Sequence, residues 1–575
     1  MQKVLRVNTK TGEINCSPVA EKYRTFGKRG LIDRVLSDEV NPKCDALGPE
    51  NKLIICTGTF AGTTLPAALR VSVGGKSPLT GTIKESSVGG MMGPMMFSQG
   101  IKMIVLEDKP ADERPWKILH VDSAGKPSLI DASQLAGLGT YAVCEKMFEQ
   151  YSNNNFDNIA VMTLGPAGEM LYKSASVMVT EFGSGHPCRA AGRGGLGALM
   201  GSKKIKAVVV EKASNKAQFE YADKQRFDAA RIKFVEAYKD HPRIKMFSDV
   251  GTANLINFST PLGIIPHKNF SGQHVSDEQK QKFTTENWKE SGTAAGGKTG
   301  VPCQPGCIMK CSNIYHDKDG KFLTAGFEYE TIAMLGPNID VYDFYEIAKF
   351  DYQCDDIGID TIEAGTAIGV CMEGGKLKWG DIAGVHALLD EMRRGTEFGR
   401  LLGQGTEAVG KALGVKRIPV VKGQGVPAYD PRMLKGNGIT YAVSTQGADH
   451  TFGIVNVPTA TDEQVPDMAF ESQTRNALTN DFLCLFITVL IMEDPAIVPE
   501  LYAGAFGGEW TVEKCREMAK ETLKIERMFN ERAGFTAADD CLPEFFRKPG
   551  YEGGPAFHFT DEQVQAHINS IYQYK

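Results

Sequence analysis

The chain begins with short apolar runs that alternate with turn residues, up to about residue 210. Four of these runs are NKLIICTG, IKMIVLED, NIAVMTLG and KAVVVEK. Short segments rich in Val, Ile and Thr between turn residues are typical of β-strands. The pattern therefore predicts a β-rich N-terminal domain over residues 1–212.

From about residue 215 the pattern changes to longer charged stretches with helical periodicity. In DKQRFDAARIKFVEAYKDH, the apolar residues Phe227, Ile232, Phe234 and Val235 fall mostly on one face of a helix. This periodicity predicts that the rest of the chain is mainly helical.

Two interruptions divide the helical part. The polar segment 273–300 ends in GTAAGGKTG, which indicates a loop. The segment GVKRIPVVKGQGVPAYDPR introduces Pro and Gly from Gly414 onward. We predict an α+β protein, with the β-rich domain followed by two mainly α-helical domains over residues 213–413 and 414–575.

Composition narrows the class of protein. A chain of 575 residues is too long for one hydrophobic core, and 42% hydrophobic with 23% charged residues is ordinary for a globular protein. The net charge of −6 is spread thinly without a Lys/Arg block, which argues against nucleic acid as a partner. The N-terminus lacks an apolar signal region, and the longest apolar run, 482–492, is too short for a membrane span. We expect a cytoplasmic protein.

The most suggestive residues are cysteines. Cys303, Cys307 and Cys311 lie in VPCQPGCIMKC, and Cys484 lies far downstream in NDFLCLF. Three local thiolates and a distant fourth are a ligand pattern of iron–sulfur clusters. The same residues are compatible with a tetrahedral zinc site or with structural cysteines, although the C-x2-C pair common in zinc sites is absent. The cysteines alone leave these three interpretations open.

A glycine-rich segment, CRAAGRGGLGALMGSKKIKAVVVEK, contains a formal G-x-G-x-x-G beginning at Gly192. A dinucleotide site needs a strand directly before this motif and an acidic residue about twenty positions later, and Glu211 comes too early. Glycine amides beside Arg189 and Arg193 instead suit a phosphate-bearing ligand. The alternative is a tight structural turn.

A second glycine-rich segment, ALRVSVGGKSPLTGTIKESSVGGMMGP, resembles a P-loop at GGKS. Arg70 stands where the first glycine of that motif belongs, so the P-loop interpretation fails. The remaining arginine, lysine and glycine turns again favour a phosphorylated ligand.

The segment QCDDIGIDTIEAGTAIGVCMEGG contains an acidic turn followed by a helix. Asp360 and Glu363 predict an N-cap and a capping box for a helix that stops at Gly374 and Gly375. Two residues of the preceding turn, Asp355 and Gly358, are then free to contact a ligand.

Taken together and in this order, the motifs resemble the tungsten-dependent aldehyde:ferredoxin oxidoreductase family. The similar segments are SPLTG, the GG turn after it, GRGGLGALMGSKKIKAV, the cysteine run, FEYET, DDIGID, GADH and the late cysteine, and they span nearly the full length. The resemblance implies a tungsten, occasionally a molybdenum, held by two pterins with a [4Fe-4S] cluster beside them. It also implies a β-rich base under this cofactor and two helical domains over it.

The resemblance also assigns roles to individual residues. Those that should contact the pterins, their phosphates or a bridging Mg are Arg70, Gly89, Arg189, Ala190, Asp355, Gly358, Asp360 and Leu483. The expected cluster ligands are Cys303, Cys307, Cys311 and Cys484. The residues at the family's acid–base positions are Glu330 and Glu328 in FEYET and His450 in GADH.

Three departures from the family pattern stand out. The local cysteine spacing is C-x3-C-x3-C instead of C-x2-C-x3-C, so Cys303 must reach the cluster by a different loop. The second pterin motif, usually D-x-x-G-L-C, keeps only Leu483 and Cys484 over residues 479–484. Ser87 replaces an asparagine and keeps fewer hydrogen-bond donors.

The activity that the resemblance implies is oxidation of an aldehyde to a carboxylic acid, or the reverse. His450 would hydrogen bond the substrate oxygen, Glu330 would take a proton from water or the hydrate, and electrons would leave through the cluster to ferredoxin or an iron–sulfur partner subunit. The resemblance is compatible with a homo-oligomer or a hetero-oligomer.

Three alternatives are weighed against this activity. The catalytic subunit of a class II benzoyl-coenzyme A reductase shares the architecture. A radical S-adenosylmethionine enzyme has a different final cysteine spacing. A non-catalytic iron–sulfur carrier would not explain two Gly/Arg phosphate cradles.

Overall fold

The computed structural model describes residues 2–572. Its first six strands form one sheet in the order β2-β1-β6-β3-β4-β5, in which β1 and β6 are parallel and the other neighbours are antiparallel. The strands are β1 (Lys3–Asn8), β2 (Ile14–Pro18), β3 (Leu53–Thr57), β4 (Val71–Lys76), β5 (Ile83–Val88) and β6 (Ile101–Glu107).

The next six strands repeat the same topology in a second sheet, ordered β8-β7-β12-β9-β10-β11, again with one parallel pair, β7 and β12. They are β7 (Lys117–Val121), β8 (Pro127–Asp131), β9 (Ile159–Thr163), β10 (Val177–Val179), β11 (Arg189–Ala191) and β12 (Ile205–Glu211). The N-terminal region is therefore built from two copies of one six-stranded arrangement, which the sequence pattern does not reveal.

Alternate residues of both sheets share one apolar core. Val71 and Val73 of β4 point into the same cluster as Val208 and Val210 of β12, and all four are fully buried. Successive side chains of a strand point to opposite faces, so this alternation packs the two sheets face to face. The helices of the region are α1 (Lys28–Glu39), α2 (Met92–Ser98), α3 (Thr140–Ser152), α4 (Pro166–Glu169) and α5 (Leu196–Ser202).

The rest of the described chain is mainly helical, with small β elements. Its helices are α6 (Lys224–Tyr238), α7 (Pro242–Val250), α8 (Asn254–Ser259), α9 (Asp277–Lys282), α10 (Thr285–Thr293), α11 (Tyr329–Met334), α12 (Phe344–Ile357), α13 (Thr361–Glu373), α14 (Ile382–Arg394), α15 (Glu397–Gly403), α16 (Thr406–Leu413), α17 (Lys435–Val443), α18 (Val465–Phe482), α19 (Thr488–Glu493), α20 (Ile497–Phe506), α21 (Val512–Ala533) and α22 (Asp561–Tyr572). Its strands are β13 (Lys298–Val301), β14 (Ser312–His316), β15 (Phe322–Ala325), β16 (Val420–Val421) and β17 (Gln424–Gly425).

This architecture confirms the predicted α+β fold class, with a β-rich base followed by helices, and confirms the four predicted strands as β3, β6, β9 and β12. The two domain boundaries stay predictions. None of the helices between residues 2 and 572 is both long enough and apolar enough to cross a bilayer.

Two local predictions are wrong. On α6 the buried face consists of Phe227, Ala230, Phe234 and Tyr238, whereas Ile232 is half exposed. The segment predicted as a loop contains α9 and α10, whose first turns are capped by side chains: the Ser276 hydroxyl accepts from the Gln279 amide and the Thr284 hydroxyl from the Asn287 amide. These caps satisfy backbone donors of short helices that lack a long apolar stripe.

The helix after DDIGID begins as predicted. Asp360 is the N-cap of α13, since its carboxylate accepts from the Ile362 amide at 3.0 Å. The capping box is wrong, because the Glu363 carboxylate instead accepts from the backbone amides of Thr406 and Gly425, at 2.7 and 2.8 Å. Glu363 therefore joins α13 to distant segments.

Candidate active site

The four cysteines of the predicted cluster lie at a junction between the β-rich base and the helical region, and all four are buried. The carbonyl of Cys303 accepts from the Gly90 amide at 3.1 Å, and the amide of Cys484 donates to the carbonyl of Ala67 at 3.2 Å. The Ala67 amide in turn donates to the carbonyl of Gly306, in the loop between Cys303 and Cys307. Backbone hydrogen bonds thus bring the local cysteine loop and the distant cysteine to the same edge of the base.

The thiols also interact with one another. A hydrogen bond with Cys307 and burial raise the pKa of Cys303. Burial, Glu328 and the neighbouring thiols of Cys303 and Cys484 raise the pKa of Cys311. Among residues 2–572, no three His, Cys, Asp or Glu side chains lie close enough to hold a single metal ion. The four thiols lie together, and an iron–sulfur cluster, in which each thiolate binds its own iron, remains a prediction for them.

A glycine and an arginine of the first sheet border the thiols. Arg70, just before β4, donates from Nε to the hydroxyl and from Nη2 to the carbonyl of Ser87, at 3.1 and 2.9 Å. A Cβ on Gly89, just after β5, would lie 3.0 Å from Cys303 Sγ and 3.3 Å from Arg70 Nη1. Glycine at position 89 therefore lets the Arg70 guanidinium and the Cys303 thiol approach the backbone closely. The hydrogen bonds to Ser87 hold the guanidinium in place.

The corresponding strand of the second sheet, β11, presents Arg189 and Ala190. Arg189 is buried, donates from Nη1 to Glu328 at 3.3 Å and forms an ion pair from Nε with Oε1 of Glu181 at 3.4 Å, whereas its Nη2 has no hydrogen-bond partner among the described residues. Ala190 is exposed. Buried donors are nearly always paired, so one unpaired guanidinium nitrogen beside an exposed strand residue fits the binding of an anionic group such as a phosphate.

Arg193 differs from Arg189. Its three nitrogens donate to the Asp360 carboxylate at 3.1 Å and to the carbonyls of Ala448 and Gly425, both at 2.6 Å. The prediction that Arg193 serves as a phosphate donor is therefore wrong, because its donors connect the base to α13 and to the GADH segment.

The acidic turn DDIGID lies where α12 ends. Gly358 adopts φ +76°, and a Cβ there would lie 2.8 Å from the Gly165 amide nitrogen, so glycine is required. The Asp355 carboxylate makes no hydrogen bond within the described part of the chain, and burial raises its pKa. Asp360 serves mainly as a helix cap and as the partner of Arg193. Of these residues, Asp355 is the one whose side chain is free for a ligand.

Each copy of the six-stranded arrangement contains one helix whose first turn donates a backbone amide to an aspartate of the helical region. The Asp356 carboxylate accepts from the Tyr141 amide at the start of α3, at 3.2 Å, and the Asp481 carboxylate accepts from the Gly30 amide at the start of α1, at 2.7 Å. The residue that precedes each aspartate is Asp355 in one case and Asn480 in the other.

The side chains of the second predicted pterin motif, residues 479–484, make contacts within the protein. The Asn480 amide donates to Glu85 at 2.8 Å, and the Lys28 ammonium donates to the Asn480 side chain at 3.2 Å and to the Leu483 carbonyl at 2.5 Å. In the second motif the available side chains are thus already engaged, and Leu483 contributes its carbonyl to the anchoring of Lys28.

The acid–base candidates meet where α11 begins. The Glu330 carboxylate accepts from the Ala428 amide at 2.9 Å through Oε2, and its Oε1 lies 3.7 Å from His450 Nδ1. Neither Oε1 of Glu330 nor Nδ1 of His450 has a hydrogen-bond partner among the described residues. Glu328, in contrast, accepts from Arg189 and, at 2.6 Å, from the Thr252 hydroxyl. Glu330 and His450 are therefore positioned for proton chemistry, whereas Glu328 holds Arg189.

Sequence reasoning missed one residue that fixes this geometry. The buried Lys84 ammonium of β5 pairs with Asp449, the residue before His450. Lys84 and Arg193 lower the pKa of Asp449 despite its burial. Lys84 lies within the second glycine-rich segment, but its partner Asp449 follows 365 positions later, so the sequence does not reveal this role.

A β-rich base with two arginine-bearing strand ends, four gathered thiols and a half-buried carboxylate–imidazole pair has the features of a metal-dependent redox enzyme. The family described as "Aldehyde ferredoxin oxidoreductase, N-terminal domain" matches residues 4–212, and "Aldehyde ferredoxin oxidoreductase, domains 2 & 3" matches residues 229–575. The chain belongs to the aldehyde ferredoxin oxidoreductase family, an oxidoreductase family, as its motifs predicted.

Individual relatives agree with this membership. Proteins named "Tungsten-containing aldehyde ferredoxin oxidoreductase" from Pyrococcus furiosus and Thermococcus kodakarensis are each 30% identical, and each match covers 96% of this chain and 92% of the relative. An "Aliphatic sulfonate oxidoreductase, WOR-like subunit" from Pyrococcus furiosus is 26% identical over 74% of this chain and 70% of its own length.

A solved structure shares the fold. It is titled "Active site complex BamBC of Benzoyl Coenzyme A reductase in complex with 1,5 Dienoyl-CoA", and it superposes with a TM-score of 0.80 at 19% identity, covering 99% of this chain and 93% of the other. At this identity the similarity shows the architecture alone.

Proposed function

We propose that this protein is a tungsten or molybdenum bis-pterin oxidoreductase that converts an aldehyde to a carboxylic acid, or the reverse. The observation that carries the proposal is the facing pair of Glu330 and His450, whose Oε1 and Nδ1 atoms lie 3.7 Å apart and have no hydrogen-bond partner among the described residues. Relatives with similar sequences over 96% of the chain are named for tungsten and for aldehydes, which supports this choice.

The residues present fit a phosphorylated pterin cofactor. A pterin with its phosphate or a bridging Mg would be held by the unpaired Nη2 of Arg189, by the exposed strand residue Ala190 and by the close approach that Gly89 allows beside Arg70. The unpaired Asp355 carboxylate suits a pterin amine, with Gly358, Asp360 and Leu483 shaping the surrounding turns. When bound, the metal would supply Lewis acidity and two-electron redox chemistry at this site.

The protein's own residues would orient the substrate and move protons. His450 would hydrogen bond the substrate oxygen, and Glu330 would take a proton from water or from the aldehyde hydrate. The Ala428 amide holds Oε2 of Glu330 and so directs Oε1 toward the imidazole. The contacts of Arg193 with the Ala448 carbonyl and of Lys84 with Asp449 fix the segment that carries the histidine.

Electrons would leave through a [4Fe-4S] cluster held by Cys303, Cys307, Cys311 and Cys484. A Cβ built on Gly89 would lie 3.0 Å from Cys303 Sγ, and this short distance between a proposed cluster ligand and a proposed pterin-binding residue supports electron transfer between the two centres. The natural acceptor would be ferredoxin or an iron–sulfur partner subunit.

A direct assay tests the proposal. Anaerobically purified protein is incubated with short aliphatic and aromatic aldehydes and a low-potential viologen dye, and dye reduction and acid formation are measured. We expect equal amounts of aldehyde consumed and acid formed. Turnover of benzoyl-coenzyme A or its dienoyl product without turnover of any aldehyde would favour the reductase alternative. Protein that contains iron but turns over neither would favour the electron carrier.

A further inference from the structure

Glu181 is a fully buried acidic residue in the turn between β10 and β11. Its Oε1 accepts a hydrogen bond from the Ser312 hydroxyl at 2.6 Å and forms the ion pair with Arg189 at 3.4 Å. Its Oε2 accepts from the Ser184 hydroxyl at 3.2 Å. A buried carboxylate needs such partners to offset the loss of hydration, so these contacts fix the position of its charge.

The turn that carries Glu181 contacts both ends of the cysteine run. Ser312 begins β14 and directly follows Cys311, so its hydroxyl connects the carboxylate to the strand that starts beside this cysteine. At the other end, the Phe182 amide donates to the Cys303 carbonyl at 3.4 Å. Glu181 is therefore held against the segment that contains the local proposed cluster ligands.

A second carboxylate binds the same guanidinium. Nη1 of Arg189 donates to Glu328 at 3.3 Å, and Glu328 accepts from the Thr252 hydroxyl at 2.6 Å. The backbone beside Thr252 also approaches the cysteine run, because a Cβ built on Gly251 would overlap the carbonyl oxygen of Cys311. One guanidinium thus lies between two carboxylates that border the cysteine run, and the three groups together have a net negative charge.

A fixed charge at this place affects the chemistry of a nearby redox centre. The reduction potential of an iron–sulfur cluster depends on the charges and hydrogen bonds around it. Buried charges are screened only weakly by water and salt. A net negative charge beside the cysteines therefore disfavours addition of an electron to a cluster that they hold.

We propose that Glu181 is a positioning residue that connects the two proposed centres. Its carboxylate holds Arg189, a proposed pterin-binding residue, and through Ser312 it holds the strand next to Cys311. Its negative charge lowers the reduction potential of the cluster. This inference rests on the proposed function of the same site.

Two variants of the anaerobically purified holoenzyme test it. Glu181→Gln keeps the shape of the side chain and an oxygen for the Ser312 hydroxyl but removes the charge, whereas Glu181→Asp keeps the charge. The midpoint potential of the cluster is measured by redox titration followed by electron paramagnetic resonance, beside iron content. We expect Glu181→Gln to favour the reduced cluster about tenfold, a positive shift of about 59 mV, with iron content unchanged. Glu181→Asp should stay near the wild-type potential.

Glu169→Gln is the matched control. It also removes an ion-paired carboxylate from the β-rich region, but the partners of Glu169 are the Lys206 ammonium and the Gly137 amide. Neither is a residue of the cysteine run. We expect Glu169→Gln to leave the potential unchanged.

Each outcome decides the role of Glu181. Loss of iron in Glu181→Gln but not in Glu181→Asp would also support it, because only the charge separates the two variants in that respect. An unchanged potential in Glu181→Gln with full iron, equal effects in the Gln and Asp variants, or the same shift in Glu169→Gln would overturn it. A wild-type protein without a cluster would overturn it as well.

Aldehyde turnover by the wild type distinguishes this inference from the proposed function. Turnover together with an unchanged potential in Glu181→Gln would refute the role of Glu181 and leave the function standing. A positive shift in Glu181→Gln without turnover of any aldehyde by the wild type would support the role of Glu181 and refute the function.

Discussion

Oε1 of Glu330 and Nδ1 of His450 face each other across 3.7 Å, and neither atom has another hydrogen-bond partner in the described chain. The two residues are 120 positions apart, on α11 and in the segment after α17. Such a separation is slightly too long for a direct hydrogen bond and leaves both atoms available to a third group. The pair is therefore the best candidate for proton transfer.

The first prediction concerns this pair. Glu330→Gln keeps the shape of the side chain and its bond from the Ala428 amide but removes the base, so we expect turnover to fall about 10²- to 10⁴-fold with tungsten and iron content unchanged. The measurement is aldehyde oxidation beside metal analysis of the same sample. Glu509→Gln, at an exposed position, is the control. Full activity in Glu330→Gln with full metal content would refute the assignment.

The second prediction concerns the contact between the base and the thiols. Gly89→Ala places a methyl group 3.0 Å from Cys303 Sγ and 3.3 Å from Arg70 Nη1, so we expect a marked loss of iron without loss of the fold. Gly192→Ala, after the corresponding strand of the second sheet, is the control, because its nearest atoms lie 3.8 and 3.9 Å away. Iron content and circular dichroism are compared. Equal iron content in both variants would show that Gly89 does not border the cluster.

The third prediction concerns the packing of the β-rich N-terminal region against the C-terminal helices. Arg29 of α1 pairs with Glu526 of α21 through two hydrogen bonds, at 2.6 and 2.9 Å, with both side chains buried. Arg29→Met leaves a buried carboxylate uncompensated, which costs about 3–5 kcal/mol of stability. Arg226→Met breaks an exposed pair with Glu500 and should cost at most about 1 kcal/mol. Thermal unfolding is the measurement, and similar losses in both variants would contradict the prediction.

The fourth prediction concerns acid stability. Burial lowers the pKa of His567 on α22 from 6.5 to about 4. The unfolded chain therefore binds a proton at a higher pH than the folded one, and stability is lost as pH falls from about 6.5 toward 4, by about 2 kcal/mol at pH 5. His567→Gln should lose less stability than the wild type between pH 7.5 and 5, whereas the exposed His274→Gln should behave as the wild type. Parallel pH profiles of thermal unfolding in all three proteins would contradict this account.

The sequence allowed the strands to be predicted because each is a short apolar run with clear ends, as in β3 and β12. The helices of segment 273–300 were missed because Ser276 and Thr284 begin helices too short for a full amphipathic stripe. The duplication of the β arrangement could not be found either, since it lies in the order of the strands and not in repeated letters. Local patterns predict local structure, and topology needs the coordinates.

The candidate site, like the fold, could be predicted from the sequence only in part. Spacing alone left the four cysteines open among cluster, zinc and structural roles, and family resemblance was needed to choose among them. The different roles of Arg189 and Arg193 could not be predicted, because both stand in one glycine-rich motif and only their partners distinguish them. The role of Lys84 depends on contact with Asp449, which follows it by 365 positions.

The central claim is that the four thiols and the Gly/Arg cradles hold one metal–pterin and iron–sulfur centre. The most direct test is metal and pterin analysis of protein purified anaerobically from cells supplied with tungsten and molybdenum, beside Cys303→Ser and the buried but distant Cys144→Ser. We predict about four iron atoms and about one tungsten or molybdenum atom per chain, pterin fluorescence after oxidation, and loss of iron in Cys303→Ser alone. Iron without tungsten, molybdenum or pterin would contradict the account.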